Sequence, residues 1–324
     1  MAKVVEITRT GGPEVIEWVD RDLPDPGEGE VRVRTTAVGL NFIDIYHRRG
    51  GYKIALPGGL GVEGVGVVEA VGEGVHDVAP GDRVGTFGPE LGAYATQRNL
   101  KAERLVKLPD QVDDATAAAL LLKGATTEFL VERCARVEKG QTVLVHAAAG
   151  GVGHLLVGWL KGVGATVIGT VGSADKAARA EKAGADHVIL HKQEDVVERV
   201  RAITGGEGVP VVFDGVGKAT WQQSLDCAAR RGLIVSFGSA SGPVEGVALG
   251  TLAGKGSLFV TRPTLFDYAI TREERQQMMD RVFAMLARGA IEPGIGQTFA
   301  LADVAEAQRR LEAGETEGAT VLLP

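Results

Sequence analysis

The sequence predicts an α/β chain in which a parallel, doubly wound sheet is joined to a smaller, irregular β-barrel-like domain. Three observations predict it. From Gln141 to Phe237, short apolar β-prone runs alternate with amphipathic helical stretches, the period of βαβ units whose sheet is covered on both faces. At the first strand-to-helix junction, the spacing Ala148-x-Gly150-x-x-Gly153 is the dinucleotide fingerprint with Ala in its first place. Before residue 110 the pattern changes to short strands cut by glycine turns, the habit of small barrel-like β domains.

The N-terminal elements follow in order. Lys3 to Thr8 reads as a strand and Gly11-Gly-Pro13 as a turn. Asp20 to Glu30, dense in Pro, Asp, Glu and Gly, reads as a surface loop. Val31-Arg-Val-Arg-Thr35 alternates as a half-exposed strand should. Val38 to Tyr46 turns into a short helix that places Asn41, Asp44 and Tyr46 together. Val65 to Val71, the stretch after Pro80-Gly-Asp-Arg-Val84, Gly92 to Gln97 and Leu105 to Lys107 continue the strands. Asp113 to Leu122 is a helix with acidic residues in its first turn. Lys123-Gly-Ala-Thr-Thr127 is expected to interrupt it before a second helix, Glu128 to Arg136.

The central domain then alternates. The strands are Val143–His146, Thr166–Val171, Val188–Leu190, Val211–Phe213 and Leu233–Phe237. Between them lie helices Val152–Lys161, Ala174–Ala183, Asp195–Ile203 and Thr220–Ala229. The fingerprint therefore sits between a strand and a helix, where small residues let the backbone approach a pyrophosphate and the helix start supplies free N–H groups. Gly153 would let that helix pack close to its strand. A site that prefers NAD places Asp or Glu at the end of the second strand, for the ribose hydroxyls. Here Gly172 and Ser173 stand there and Lys176 follows, a hydroxyl and an ammonium suited to the extra phosphate of NADPH. Asp175 adjoins Lys176 and weakens that field. Strand ends line the ligand crevice of such sheets, which adds His191, Asp214, Gly215, Phe237, Gly238 and Ser239. Asp214 could equally cap the following helix. Ser257 to Val260 is a further strand, followed by Arg262. Thr271 with Glu274 starts a helix as a capping box, running to about Arg288. Leu301 to Ala313 is a last helix and Thr320 to Leu323 a last strand.

Composition excludes several function classes. A net charge of −7 over 324 residues argues against nucleic acid or an anionic membrane as the main partner. Two cysteines make no disulfide framework and fit a reducing compartment, the cytoplasm. The first six residues carry no apolar signal region. Six scattered histidines without H-E-x-x-H spacing or a cysteine cluster leave a metal site unsupported.

Taken together, Asn41-Phe-Ile-Asp-Ile-Tyr46, Pro80-Gly-Asp-Arg-Val84, His146-Ala-Ala-Ala-Gly-Gly-Val-Gly153 and Ser224 to Gly238 resemble the bacterial NADPH:quinone oxidoreductases. These form the zinc-independent, zeta-crystallin-like branch of the medium-chain dehydrogenases/reductases. The resemblance covers essentially the whole chain. It implies a GroES-like catalytic domain contributed by both chain ends, residues 1–123 and 262–324, around a Rossmann domain at 124–261. It also implies a homodimer joined through the Rossmann domain. Zinc-dependent relatives carry Cys at about the place of Asn41 and Gly-His-Glu near Gly61-Val62-Glu63. The resemblance places Asn41 and Tyr46 beside the nicotinamide, Gly150, Gly151 and Val152 on the pyrophosphate, and Gly172, Ser173 and Lys176 on the adenosine phosphate. Lys123, Thr126, His191, Gly215, Phe237, Gly238, Ser239 and Arg262 complete the expected cofactor set. His191 stands where relatives often carry Tyr, and Leu311 to Gly318 lacks a basic residue that the related pattern carries.

The function implied is NADPH-dependent reduction of quinones, with Asn41 and Tyr46 orienting the acceptor by hydrogen bonds. Two alternatives stay open: reduction of α,β-unsaturated carbonyls, with Tyr46 the first candidate proton donor, and an NADPH-binding protein without catalysis.

Overall fold

The alternation of short apolar runs with glycine breaks folds, in the computed structural model, into elements that describe residues 1–324 throughout. The first stretch holds β1 (Ala2–Glu6), β2 (Glu17–Arg21), β3 (Glu30–Leu40), α1 (Phe42–Arg49), β4 (Glu63–Val71), β5 (Arg83–Phe87), β6 (Gln97–Lys101) and β7 (Leu105–Lys107). Helix α2 (Asp114–Glu128) runs on into a π-helical turn at Phe129–Cys134. Next come β8 (Thr142–Val145), α3 (Gly151–Val163), β9 (Thr166–Val171), α4 (Ala174–Lys182), β10 (His187–Leu190) and α5 (Val196–Ile203). They are followed by β11 (Val209–Asp214), α6 (Trp221–Cys227), β12 (Ala228–Ser236), α7 (Leu249–Gly254) and β13 (Phe259–Thr261). The chain ends with α8 (Arg272–Ala287), β14 (Ile295–Ala300), α9 (Val304–Glu312) and β15 (Ala319–Leu323).

The chain forms two compact units. The first comprises Met1–Ala125, Ala269–Asp280 and Pro293–Pro324. Its main sheet has the order β14-β15-β3-β4-β5-β7, with β6 also on β3 and β1-β2 as a separate ribbon. The 11-residue β3 is the hub: it pairs antiparallel with β4, β6 and β15. Its alternate residues Val31 and Val33 meet Val68, Val84 and Leu105 in one core, while Val38 and Leu40 join Ile7, Leu60, Tyr94 and Leu322 in another. The C-terminal strand β15 thus pairs with β3 from the first forty residues, which is why both ends of the chain are needed for one domain.

The second unit comprises Thr126–Tyr268 and Arg281–Glu292. Its six-stranded sheet has the order β10-β9-β8-β11-β12-β13, every pair parallel. Counted from β8, that is 3-2-1-4-5-6, the order of a Rossmann sheet, with its switch point between β8 and β11. Val143 of β8 is in register with Val167 of β9 and Val211 of β11. Leu144, Ile168, Ile189, Val212, Leu225 and Ile234 fill one face of the core.

Several expectations are corrected. Strand β2 occupies residues 17–21 and ends inside the stretch read as a loop from Asp20. Strand β6 lies at 97–101 rather than 92–97. Helix α2 passes through Lys123-Gly-Ala-Thr-Thr127 without a break. Residues 117–125 of α2 are all buried, and tertiary burial outweighs the ~1 kcal/mol that Gly124 costs in a helix interior. The segment 262–268 and the end of α8, with residues up to Glu292, fall in the second unit, so the first unit does not reclaim the chain at 262. Helix α7 and strand β14 are further elements that the pattern did not announce.

Candidate functional site

The second unit gathers most of the expected cofactor residues at the carboxyl ends of its strands. After β8 the backbone turns at Ala147, whose φ is +54, and Gly150 becomes the N-cap of α3 in an extended conformation. Gly150 is exposed and Gly151 and Val152 are half-buried, so the N–H groups at the start of α3 face open space. Gly153 is enclosed: a Cβ there would lie 2.2 Å from the Ala147 carbonyl oxygen. The glycine holds the helix against its strand, as its place in the fingerprint predicted.

After β9, Gly172 and the exposed Ser173 lead into α4. The Ser173 hydroxyl accepts the Lys176 N–H at 3.5 Å as N-cap, a long bond that leaves most of its capacity. No carboxylate stands at this strand end. His191 follows β10, is exposed, and its Nε2 would lie 3.2 Å from a Cβ at Gly172, so the second and third strand ends adjoin. After β12, Phe237, Gly238 and Ser239 are half-buried, and the Arg262 guanidinium reaches across from the end of β13 to the Ser236 carbonyl (2.8 Å) and Ser239 Oγ (3.3 Å). A Cβ at Gly215 would meet the Phe237 ring at 2.8 Å, so the ends of β11 and β12 are in contact. Thr126 sits half-buried on α2. Asp214 is a capping residue: its buried carboxylate accepts from Val216 N, Gly217 N, Thr220 Oγ1 and Ser224 Oγ at 2.6–3.0 Å. Beneath the fingerprint, His146 Nδ1 lies 3.0 Å from Thr170 Oγ1, and burial holds this imidazole below its ordinary pKa.

The first unit brings Asn41, Asp44 and Tyr46 onto one short helix start. Asn41 is the N-cap of α1, and Asp44, three residues on, completes a capping box by accepting its N–H at 2.9 Å. The same Asp44 oxygen accepts the Tyr94 hydroxyl at 2.7 Å. Asp44 is fully buried, and that burial pushes its carboxyl up to about 7 against these two hydrogen bonds. Tyr94 is raised well above its usual range by burial and by the neighbouring carboxylate. Half-buried Tyr46 meets Tyr52 edge-on at 5.7 Å, with Phe42 at 6.3 Å. This leaves an aromatic face, partly exposed at Phe42 and Tyr52, at the start of the helix that Asn41 caps and in the loop that follows it.

Sequence reasoning missed the residue that holds this group together. Glu63, at the start of β4, has no exposed surface. One carboxylate oxygen accepts Asn41 Nδ2 (2.7 Å) and Lys123 Nζ (3.3 Å); the other accepts the Leu122 N–H (2.6 Å). Lys123, expected among the cofactor residues, is buried, with its ammonium on Glu63 and on the Leu40 carbonyl at 3.2 Å. A signal was present. Glu63 is the one charged residue in Gly58-Gly-Leu-Gly-Val-Glu-Gly-Val-Gly-Val-Val68, and a carboxylate in so apolar a run is stable only when paired. Arg48 and Gln308 were missed likewise. Arg48 is fully buried and donates to Gln308 Oε1 (2.7 Å), Glu312 (2.6 Å) and the Gly11 carbonyl (3.2 Å), tying α1 to α9.

Residues 151–284 match the family model of zinc-binding dehydrogenases, and residues 27–110 match the GroES-like domain of alcohol dehydrogenases. The donors here do not suit the zinc that the first description names. Asn41 is a neutral amide, Val62 is apolar and Glu63 is committed to its three partners. No group of three or more His, Cys, Asp or Glu side chains is placed to hold a metal ion. The chain is 51% identical to a quinone oxidoreductase of Pseudomonas aeruginosa over 100% of both chains. It is 42% identical to a 2-haloacrylate reductase of a Burkholderia species, over 100% of this chain and 99% of that one. The solved structure of Escherichia coli quinone oxidoreductase complexed with NADPH superposes with a TM-score of 0.97 at 45% identity, covering 100% of each chain. Identity at this level over the full length, with both domain models matched in chain order, shows that the chain belongs to the quinone oxidoreductase family, the zeta-crystallin-like branch of the medium-chain dehydrogenases/reductases.

Proposed function

We propose that this protein is an NADPH-dependent quinone oxidoreductase. The observation that carries the reading is full-length similarity to quinone oxidoreductases, one of them solved with NADPH, on a sheet whose strand ends are lined by Gly150, Gly172, Gly215 and Gly238. When bound, NADPH supplies the hydride. The residues of this chain bind and orient. The N–H groups of Gly151 and Val152 receive the pyrophosphate beside the N-cap Gly150, whose own N–H donates to the Ala147 carbonyl at 2.9 Å. Ser173 and Lys176, with Gly172 between strand and helix, take the adenosine phosphate, and His191 flanks the adenine side. Thr126, Phe237, Ser239 and Arg262 complete the cofactor's surroundings, and Lys123 contributes by holding Glu63. Asn41 and Tyr46 face the reacting end, where the rings of Phe42, Tyr46 and Tyr52 offer a planar acceptor an aromatic surface. Neither residue has to serve as acid or base, because a reduced quinone takes its protons from solvent.

Steady-state oxidation of NADPH and, separately, NADH with 1,4-benzoquinone tests this reading. Turnover with NADPH is expected, and equal use of NADH would overturn the phosphate assignment. Lys176→Ala is expected to raise KM for NADPH roughly tenfold and leave NADH unchanged, the loss of one charge-assisted phosphate contact.

A second reading is favoured by the 42% identical 2-haloacrylate reductase: reduction of an activated carbon–carbon double bond, with Tyr46 delivering a proton beside the carbonyl group. Turnover with an enone but not benzoquinone would select it.

The protein is further proposed to be a cytoplasmic homodimer. No helix is long and apolar enough to cross a membrane, and Cys134 and Cys227 are free, which suits a reducing compartment. Strand β13 is an edge of its sheet and pairs only with β12. Phe259 on it is 58% exposed and Leu249 on α7 is 79% exposed. An apolar, unpaired edge of this kind is covered by pairing with a second copy about a two-fold axis. Phe259→Asp is expected to convert the dimer to monomer in sedimentation equilibrium; a monomeric parent protein would sink the proposal.

A further inference from the structure

We propose that Glu63 is a positioning residue that fixes the Asn41 amide with its oxygen toward the ligand, so that Asn41 only accepts hydrogen bonds from what binds there. The inference rests on the reading that Asn41 faces the reacting end.

An amide has two N–H donors and one carbonyl oxygen, and the two ends are told apart by their partners. Asn41 Nδ2 lies 2.7 Å from Glu63 Oε1 and 3.3 Å from the Gly39 carbonyl oxygen. Both are acceptors without a proton to give, so the nitrogen must face inward and both its N–H groups are used. Glu63 is itself held on every side. Leu122 N–H binds its second oxygen at 2.6 Å and Lys123 Nζ its first at 3.3 Å. Gly39 leaves room for it: a Cβ there would lie 1.9 Å from Glu63 Oε1 and 2.4 Å from the Ala118 carbonyl. The carboxylate thus sits in a slot that no larger residue at 39 would leave open. Asn41 therefore has no donor left for a quinone oxygen. The Oδ1 atom, on the α1 side, keeps a lone pair beyond the one directed at the capping box. It suits an N–H or O–H of the ligand: the carboxamide of a nicotinamide, or the hydroxyl of a reduced acceptor. The expectation that Asn41 orients the acceptor's carbonyl oxygen is thereby revised, and that donation falls to Tyr46.

Replacing Glu63 by Gln reverses the logic. Leu122 N–H demands an acceptor, so the new amide oxygen stays on it and its NH2 group faces Asn41. Two donors then oppose each other, and the Asn41 amide must rotate, turning its nitrogen outward. Asn41→Asp creates the opposite conflict, carboxylate against carboxylate. The double variant Asn41→Asp with Glu63→Gln restores the pair with donor and acceptor exchanged, and still presents an oxygen to the ligand.

The test measures kcat/KM for benzoquinone with NADPH in the full-length protein and its variants, each with its melting temperature. The same set is measured with the 3-acetylpyridine analogue of NADPH, whose methyl ketone lacks the carboxamide N–H. Glu63→Gln is expected to lose roughly tenfold or more in kcat/KM, the scale of one ligand hydrogen bond turned to repulsion, and Asn41→Asp a comparable factor, because repulsion from Glu63 displaces the new carboxylate from the Asn41 position. The double variant is expected to recover most of it. If the single-variant loss vanishes with the analogue, the carboxamide is the donor; if it persists, the donor is the O–H that forms on the quinone as it is reduced; either supports the proposal. Singles that melt like the parent and lose nothing would overturn it, as would a folded double variant no better than the singles. Asn41→Ala separates the two readings: unchanged NADPH affinity and turnover in that variant would show that Asn41 is not at the reacting end, whatever Glu63 does.

Discussion

Gly153→Ala is expected to weaken both NADPH binding and thermal stability, because the new methyl group has nowhere to go. Its carbon would lie 2.2 Å from the Ala147 carbonyl oxygen and 3.0 Å from Ala148 Cα. These are backbone atoms of the turn that leads into α3, so no flexible side chain can yield. Helix α3 must lift from β8, a strained overpacking that costs about 1–3 kcal/mol. Lifting it also moves the N–H groups of Gly151 and Val152, and misplacing a phosphate cradle of charge-assisted bonds is expected to raise the NADPH Kd at least tenfold. Gly150→Ala is the control. A Cβ there would stand 3.2 Å from the same oxygen, close enough to ask for a shift of a few tenths of an ångström. Its melting temperature is expected to stay near the parent value, while its Kd rises because the methyl group sits on the exposed side where the pyrophosphate approaches. Titration by nicotinamide fluorescence, beside thermal unfolding, measures both. A Gly153→Ala protein with parental Kd would show that the start of α3 does not carry the cofactor phosphates.

The contrast between these glycines and Glu63 shows what a single sequence reveals. The β8–α3 junction is legible because its requirements are local. A buried parallel strand must be apolar throughout, the turn must be small, and the spacing of Ala148, Gly150 and Gly153 is fixed by the turn itself. The same holds for each βα repeat from Thr166 to Ser236, where length and apolarity separate strands from helices. Glu63, Arg48 and Gln308 are not legible, because what makes them important is distant in the chain. Glu63 is 22 residues from Asn41 and 59 from Leu122, and Arg48 is 260 from Gln308. The unbroken α2 escaped for a related reason. Gly124 and Thr126–Thr127 are poor helix formers, and only the burial of Leu120, Leu121 and Ala125 overrides that preference. Strand β14 offers Ile-Gly-Gln-Thr-Phe-Ala, too short and too mixed to declare itself. Parallel pairing with β15 defines it.

Asp44 supplies the other large effect, a pH dependence of stability that one substitution removes. Its folded-state value of about 7 lies above the ordinary 3.8 because burial penalises the charge more than its two hydrogen bonds reward it. The native state therefore holds a proton that the unfolded chain has released. Stability from this group is intact below about pH 4 and declines as pH rises toward 7. Above 7 the ionised carboxylate costs about 4 kcal/mol, three pKa units at 1.36 kcal/mol each. Asp44→Asn keeps the geometry, since both the Asn41 N–H and the Tyr94 hydroxyl bind the same oxygen, Oδ2. The amide nitrogen takes the place of Oδ1, which has no hydrogen-bond partner, and a buried unsatisfied NH2 costs about 1–3 kcal/mol at every pH. The variant is thus expected to be less stable than the parent at pH 4, where the parent's folded carboxyl still holds its proton and most of the stability from this group remains, and at least as stable at pH 8. Urea midpoints taken in steps across that range should make the two curves cross. All other groups titrate alike in both proteins, so the difference between the curves reports Asp44 alone; parallel curves would mean that its carboxyl stays ionised in the folded protein down to pH 4.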